Sequence, residues 1–587
     1  MRRRFRHVLP FGATLLRGGR ARFALWAPDR DSVAVAVEGG EAVPMTRRRG
    51  GWHVLETPGV AGMRYRYRFA DGVAVPDPAA RAQADDVQGP SVVVDPHAYR
   101  WRHPEWSGRP WHEATIYELH VGACGGFDGV RERLADLVAL GVTAVELMPI
   151  AEFPGARNWG YDGVLPFAPD AAYGPPEALK AMIDHAHGLG LMVYLDVVYN
   201  HFGPDGNWLH AYASHFFRAD RQTPWGAAID FRQPVVRRFF IENALYWLME
   251  YRFDGLRFAA VHAIEERDGF LAELAREIRA RVEPGRHVHL VLENDANEAA
   301  PLAAGFDAQW NDDGHHVLHH LLTGEAEDYY ADYATDPAQR LARCLAEGFV
   351  YQGDASGHRG GALRGTPSAH LPPTSFVLFL QNHDQIGNRA FGERLTRLAD
   401  GDALRVATAL LLLAPQIPLL FMDQEIGSER PFLYFTAHGE ELAAAVREGR
   451  AREFAALTRR RDGAPELPDP NAAETFARSC PEPARRASEA GRSWLEFHRQ
   501  LLALRRREIV PRLAGARALG ARALGDAAVV ARWRMGDGAV LAIALNLGHA
   551  PIPFAVPAAR ELFTLGPARE AGTLGPRAIA VTLGGDA

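Results

Sequence analysis

The stretch LMVYLDVVYNH, residues 191–201, is apolar and rich in Val and Leu for most of its length and then breaks off in Tyr-Asn-His. Three later stretches repeat the plan: FDGLRFAAVH (253–262), HVHLVLEND (287–295) and SFVLFLQNHD (375–384). None alternates apolar and polar residues with period two, so each suits a strand covered on both faces, as in a parallel sheet. In all four a polar cluster sits at the C-terminal end. A (β/α)8 barrel gathers the C-terminal ends of its parallel strands on one face, where loops of any length can be attached and where its active sites lie. The four runs therefore predict an α/β protein built on a (β/α)8 TIM barrel, with a site assembled from their last residues.

The flanking sequence supplies the remaining strands. TIYELHVG (115–122) reads as the first, followed by helical FDGVRERLADLVALG (127–141), and TAVELMPI (143–150) as the second. Helical PEALKAMIDHAHGLG (176–190) leads into the third strand at 191, and FDAQWNDD (306–313) and IPLLFMDQE (417–425) read as the sixth and eighth. Alternating strand and helix signals of this kind specify βα units.

Either side of the barrel, assigned to 101–505, the pattern changes. Residues 1–100 offer short strands, ARFALWAP, SVAVAVEG, WHVLETP and MRYRYRFADG, between Gly, Pro and Asp turns, which predicts a β-sandwich. Trp26 and Tyr67 in it read as core rather than as sugar platforms. Residues 506–587 contain AVVARWRM, AVLAIALNL and AIAVTL and predict a small antiparallel C-terminal β-sandwich with a structural role. Residues 426–490 are polar and Ala/Pro-rich and are expected to wrap the barrel.

A chain of 587 residues is too long for one core, so several domains are expected. A net charge of -7 and a pI near 6.4 give no reason to expect nucleic acid or an anionic membrane as partner, since either needs a clustered basic surface. The Arg-rich start MRRRFRH precedes an apolar stretch too short, and too broken by Pro10 and Gly12, for a signal peptide, and no later run approaches a membrane span. Cys124, Cys344 and Cys480 lie far apart without CxxC spacing, so neither a disulfide framework nor a zinc site is expected, and a cytoplasmic location fits.

The order and content of the four polar clusters resemble the four sequence regions of the α-amylase-like glycoside hydrolases, and the resemblance covers almost the whole chain. Asp196, Asn200 and His201 match the first region, Arg257 the second, Glu293 the third, and His383 and Asp384 the fourth. The N-terminal module, with FALWAP, YRYRFADG and VPDPAA, is similar to the starch-binding-like module of branching and debranching members. NHDQIGNRAFGERL (382–395), AVHAI (260–264) and WNDDGHH (310–316) resemble the trehalose-releasing branch of the family. The implied reaction is cleavage, with retention, of the α-1,4-glucosidic bond next to the terminal trehalose of maltooligosyl trehalose. The expected partner is that substrate or another α-1,4-glucan oligosaccharide.

Glycoside hydrolysis needs two carboxyl groups flanking the scissile bond. Glu293, at the end of a buried run, suits the general acid/base. The resemblance makes Asp384 the carboxylate that stabilises the transition state, His201 and His383 sugar-binding, Arg257 the group orienting the nucleophile, and Tyr161 a platform for the sugar ring. Asp196 and Asn200 would brace the site. Trp225, Asp312, His315 and His316 are candidates for holding the trehalose end. The segment 202–252 is short for a calcium-binding lobe, so no metal and no cofactor are expected.

One position departs from the family. Its nucleophilic aspartate stands two residues after the arginine, and here that residue is Ala259. Every other member of the site is present, which favours an alanine introduced into a finished site, and the chain as written is expected to be inactive. Two alternatives stay open: a glycogen branching or debranching enzyme, and an α-glucan-binding protein without turnover.

Overall fold

The structure is a computed structural model, described over residues 5–223, 226–455, 466–554, 559–567 and 572–585. Its centre is a closed barrel of eight parallel strands in sequence order. They are β1 (Ile116–Leu119), β2 (Ala144–Leu147), β3 (Met192–Val198), β4 (Gly255–Ala259), β5 (His289–Leu292), β6 (Ala308–Trp310), β7 (Phe376–Phe379) and β8 (Ile417–Phe421). The ring closes where Ile116 of β1 pairs with Leu419 of β8. Every residue of these strands is buried except Val198, which is why their sequences show no alternation. Side chains such as Ile116, Met192, Tyr194, Trp310 and Phe379 fill the lumen, so the barrel is a packed core and the site can only lie at its rim.

Helices cover the outside. They are α1 (Gly126–Leu140), α2 (Pro176–Gly188), α3 (Pro234–Met249), α4 (Arg267–Arg281), α5 (Asp312–Thr323), α6 (Pro337–Glu347), α7 (Gly401–Leu413) and α8 (Glu489–Leu504). In α1 the buried residues Phe127, Val130, Leu134, Leu137 and Leu140 recur every three or four positions, the spacing of one helix face. Between β5 and β6 there is only the short turn of helix Ala300–Ala303.

The N-terminal strands form two antiparallel sheets. Gly12–Leu16, Arg20–Trp26, Trp52–Pro58 and Thr46–Arg47 make one; Ala42–Pro44, Val33–Val37, Arg64–Phe69 and Ala74–Val75, with Ser91–Val92, make the other. They meet face to face through pairs such as Phe23 and Tyr65, whose rings are 4.8 Å apart. Trp26 and Tyr67 are both buried. Tyr65 and Tyr67 donate to Asp77 at 2.6 and 3.0 Å. The module also grips the loop between β3 and β4: Ser214 N donates to Asp29, and Arg30 donates to Ala211 O.

The C-terminal strands form a five-stranded antiparallel sheet, Arg517–Gly525, Ala528–Arg534, Val540–Asn546, Ala578–Gly584 and Arg560–Leu565 in that order, with a two-stranded ribbon beside it. Residues 529, 531 and 533 face the main core, whereas Val530, Ala544 and Ala578 face the ribbon residue Leu574. On the core side the sheet packs on α6, and Trp533 donates to Leu345 O at 3.2 Å.

Candidate active site

Parallel pairing sets the height of the polar clusters. Asp196 is in register with Arg257 and Val198 with Ala259, so the end of β3 and the end of β4 reach the rim together. Arg257 and Ala259, two residues apart, point to the same side of the strand. A cavity of about 590 Å³ opens there, and Ala259, Glu293, Asp384, Asp312, Tyr161, Asn200, His201 and His316 all line it.

Arg257 is fully buried beneath this cavity, its guanidinium 4.1 Å from the centre of the Trp310 ring. Its Nη1 donates to Asp196 Oδ2 at 2.7 Å. Its Nη2 lies 3.0 Å from Glu293 Oε2, but the two are not aligned for a hydrogen bond, and both Nη2 and Nε are without a hydrogen-bond acceptor. Burial works against its charge, yet Asp196 and Glu293 hold its pKa well above the usual value. Asp196 also accepts from Tyr161 Oη at 2.6 Å. Burial pushes its carboxyl up to about 6 against the pull of Arg257.

Glu293 is clipped to the end of β4. Its Oε2 accepts from Ala260 N at 2.7 Å, and its backbone carbonyl accepts from Val261 N at 3.0 Å. Aiming that N–H places Ala260 at φ +42°, a left-handed conformation uncommon for a residue with a Cβ.

The β7 cluster begins with Asn382, whose side chain accepts from Asp384 N and Gln385 N. His383 is buried; its Nδ1 contacts Glu118 Oε1, and its backbone N–H donates to Glu118 Oε2. Its Nε2 lies 2.8 Å from Tyr161 Oη and 3.3 Å from Asp384 Oδ1. Burial disfavours the imidazolium, but Asp384 and Glu118 outweigh it and raise the pKa well above the ordinary value. For Asp384 the balance is reversed in form: burial would raise its pKa, and the charge and hydrogen bond of His383 bring it below the usual range. Tyr161 reaches the cluster because Gly160 turns the preceding loop at φ +103°, where a Cβ would lie 2.1 Å from Pro149 O. His201 donates from Nε2 to Tyr161 O at 2.9 Å, and burial lowers its pKa. Asn200 is 2% exposed, and both polar atoms of its side chain are without a hydrogen-bond partner.

Among the residues expected at the trehalose end, Asp312 opens α5 and accepts from Gln385 Nε2 at 3.3 Å. Burial, reinforced by Glu293 and Asp295, raises its pKa well above the usual carboxyl range. His316 faces the cavity against Tyr329 and Tyr333, and burial keeps it neutral. His315 does not line the cavity: its Nδ1 is 2.7 Å from Leu380 O and its Nε2 3.1 Å from Tyr330 Oη, so both ring nitrogens are engaged inside the protein. On one helix, adjacent residues point about 100° apart, and only one of the two histidines can face the cleft. Trp225 lies outside the described residues.

Several cavity residues carry no signal in the sequence. Tyr329, Asp332, Tyr333, His358 and Arg359 come from the long connection between α5 and β7. Arg364 ties that wall to Asp295, within the quoted HVHLVLEND run, at 2.8 Å. Glu118, buried on β1, carries no periodic or motif mark in the sequence. Among the described residues no group of three or more His, Cys, Asp or Glu side chains is placed to hold a metal.

A closed (β/α)8 barrel with carboxyl groups from several strand ends around one cleft is an arrangement suited to glycoside hydrolysis, and similarity to known proteins places the chain in the α-amylase class of glycoside hydrolases. The family model for the alpha amylase catalytic domain matches residues 68–225, and one described as a domain of unknown function, DUF3459, matches 516–581. The chain is 43% identical over 511 residues to a malto-oligosyltrehalose trehalohydrolase of Deinococcus radiodurans, covering 85% of this chain and 83% of that protein. It is 37% identical over 575 residues to one of Rhizobium sp., covering 93% and 94% of the two chains. A crystal structure described as a putative alpha amylase from Salmonella typhimurium superposes with a TM-score of 0.92 at 43% identity over 98% of this chain and 99% of that one. The chain belongs to the malto-oligosyltrehalose trehalohydrolase family.

Proposed function

We propose that the chain is built to release trehalose from maltooligosyl trehalose by cutting the α-1,4 bond next to the trehalose, and that with Ala259 it binds this substrate and scarcely cleaves it. The observation that carries the reading is the meeting of Glu293, Asp384 and Ala259 in one cavity above Arg257. With an aspartate at 259, its carboxylate attacks the anomeric carbon while Glu293 gives a proton to the leaving oxygen; Glu293 then takes a proton from water to free the glycosyl-enzyme. Asp384 holds the hydroxyls of the reacting sugar and Tyr161 covers its apolar face; His383, expected to bind the sugar, does not line the cavity and instead braces both residues through Nε2. His316 and Asp312 stand at the trehalose side. Alanine removes the covalent route while leaving these contacts. Cys124, Cys344 and Cys480 are all unpaired thiols, which supports a reducing cytoplasm as the location, and no described helix is long and apolar enough to cross a membrane.

The branching reading is weaker. A 1,4-alpha-glucan branching enzyme of Burkholderia thailandensis is 31% identical over 476 residues, but the match covers only 53% of that protein. The test compares trehalose production from maltooligosyl trehalose by the chain as written and by Ala259→Asp at equal concentration. The substituted form should turn over at least several orders of magnitude faster, given that losing a catalytic nucleophile costs on the order of 10⁴–10⁶-fold. Equal rates would remove Ala259 from the nucleophile position, and new α-1,6 linkages without free trehalose would favour branching.

A further inference from the structure

We propose that Glu146 is kept as a neutral acid inside the barrel and that, through buried water, it gives Arg257 and Asp196 the hydrogen bonds they do not find in the protein, acting as a positioning residue for the floor of the cavity. Its role is the same whatever residue stands at 259.

Strand register puts the residue there. Ile116, Ala144 and Tyr194 fill the lumen, so Glu118, Glu146 and Asp196, each two residues further along its strand, face it as well. Glu118 and Glu146 stand directly opposite each other, and Glu146 stands opposite Tyr194, two residues short of Asp196. Glu146 is 1% exposed and is not part of the cavity lining. Among the described residues neither of its oxygens has a hydrogen-bond partner. The same holds for Asp196 Oδ1, for Arg257 Nε and Nη2, and for Nε1 of Trp310, whose ring covers the guanidinium. Donors and acceptors are thus left over on β2, β3, β4 and β6, all at the lumen beneath the cavity. Buried polar atoms that the protein does not satisfy are ordinarily joined by water, each molecule making about three bonds.

Charge selects the protonated form. The charged groups that bear on Glu146 are the carboxylates Glu118 and Asp196 and the cations Arg257 and His383. Glu118 holds His383 through its backbone and its ring, and Asp196 holds Arg257 Nη1. Neither cation touches Glu146, and a second carboxylate directly across from Glu118 would be repelled. Burial, with Glu118 and Asp196 adding to it, accordingly raises the Glu146 pKa well above the usual carboxyl range.

A neutral carboxyl does what a carboxylate cannot, because it both donates and accepts. Its O–H donates to a water that donates in turn to Asp196 Oδ1. Its carbonyl oxygen accepts from a water that has accepted from Arg257 Nε or Nη2. Both partners are then satisfied without giving up the bond between Arg257 and Asp196. An ionised Glu146 would only accept, and it would compete with Asp196 for the guanidinium.

Infrared difference spectra of the chain as written against Glu146→Gln read the proton: at neutral pH one carboxylic-acid C=O band should be lost in the variant. The native chain then keeps a proton that the unfolded chain releases above about 4.3, so its stability falls with rising pH relative to Glu146→Gln, and the two melting temperatures should part with the variant the higher. Crystals of the chain as written should show water between Glu146 and Arg257. Glu146→Leu, of similar size but unable to bond water, separates positioning from mere filling. Its affinity for maltohexaose should fall on the order of tenfold by calorimetry, while Glu146→Gln stays within about threefold. The sugar measurement rests on the reading of the cavity as a maltooligosaccharide site, and the others do not. A chain that shows the acid band and the water but binds no sugar therefore sinks that reading and leaves Glu146 in its role. A missing acid band, or melting temperatures that run parallel across pH, would overturn the neutral acid. Unchanged sugar affinity in Glu146→Leu, with Arg257 unmoved in its crystals, would reduce Glu146 to a filler of the lumen.

Discussion

His383 carries a charge inside the protein because two carboxylates face it, and one of them, Glu118, never touches the sugar cavity. Glu118 accepts from the His383 backbone and meets Nδ1, while Nε2 is turned to Tyr161 and Asp384. Its role is to position and charge the imidazole. Burial by itself would lower the His383 pKa, so removing one carboxylate should let it drop. In an Ala259→Asp background, Glu118→Gln should therefore lose activity at a lower pH on the alkaline side, because the imidazolium is lost sooner, with kcat reduced about tenfold to a hundredfold. The kcat–pH profile measures it, and an unmoved alkaline limb removes Glu118 from this role. The same sign applies to stability: a raised histidine contributes below its unfolded value, ~6.5, and the contribution disappears as pH climbs through the higher folded value. The unsubstituted chain should accordingly lose thermal stability on the alkaline side.

At the scale of elements, the strands were legible and the connections were not. A strand buried on both faces is mostly apolar, and the polar residues that end it mark the rim, so β3, β4, β5 and β7 announced both the barrel and the residues that gather around one cavity at its rim. The connection 324–375, which contains α6, has no such constraint: Tyr329 and Arg359 reach the cavity through the path of the chain, and nothing in their local sequence distinguishes them from packing residues. His315 and His316 illustrate the limit, since adjacent histidines look alike until the helix phase is known. Gly160 is a connection whose conformation does matter. With φ at +103° and Pro149 O 2.1 Å from any Cβ, Gly160→Ala must displace the loop that presents Tyr161. The expected cost is ~1–3 kcal/mol of stability. Maltooligosaccharide affinity should fall on the order of tenfold by calorimetry, while the eight strands keep their far-UV signature. Unchanged affinity would mean that Tyr161 does not bear on the sugar.

Across the whole molecule, α6 links the C-terminal sheet to the cavity wall, and the question is whether the sheet contributes to recognition or only to stability. Tyr329, Asp332 and Tyr333 precede α6 and line the cavity; Trp533, 0% exposed, packs on the helix's far side and donates to Leu345 O. The wall, however, has its own fastening. Tyr333 Oη donates to Asp313 at 2.5 Å, Arg364 donates to Tyr333 at 2.8 Å, and Asp313 accepts from Val350 N and Tyr351 N at 2.7 and 3.1 Å. Those bonds run into the barrel through α5 and do not pass through the sheet. Trp533→Ala should then open a cavity costing ~3–5 kcal/mol and lower the thermal midpoint. Affinity for maltooligosaccharide at 25 °C should stay within about twofold, below the 1.4 kcal/mol that marks a tenfold change. Thermal melts followed by circular dichroism and calorimetric titration at 25 °C separate the two effects. A variant that keeps its melting point but loses the sugar would make the C-terminal sheet part of the binding apparatus.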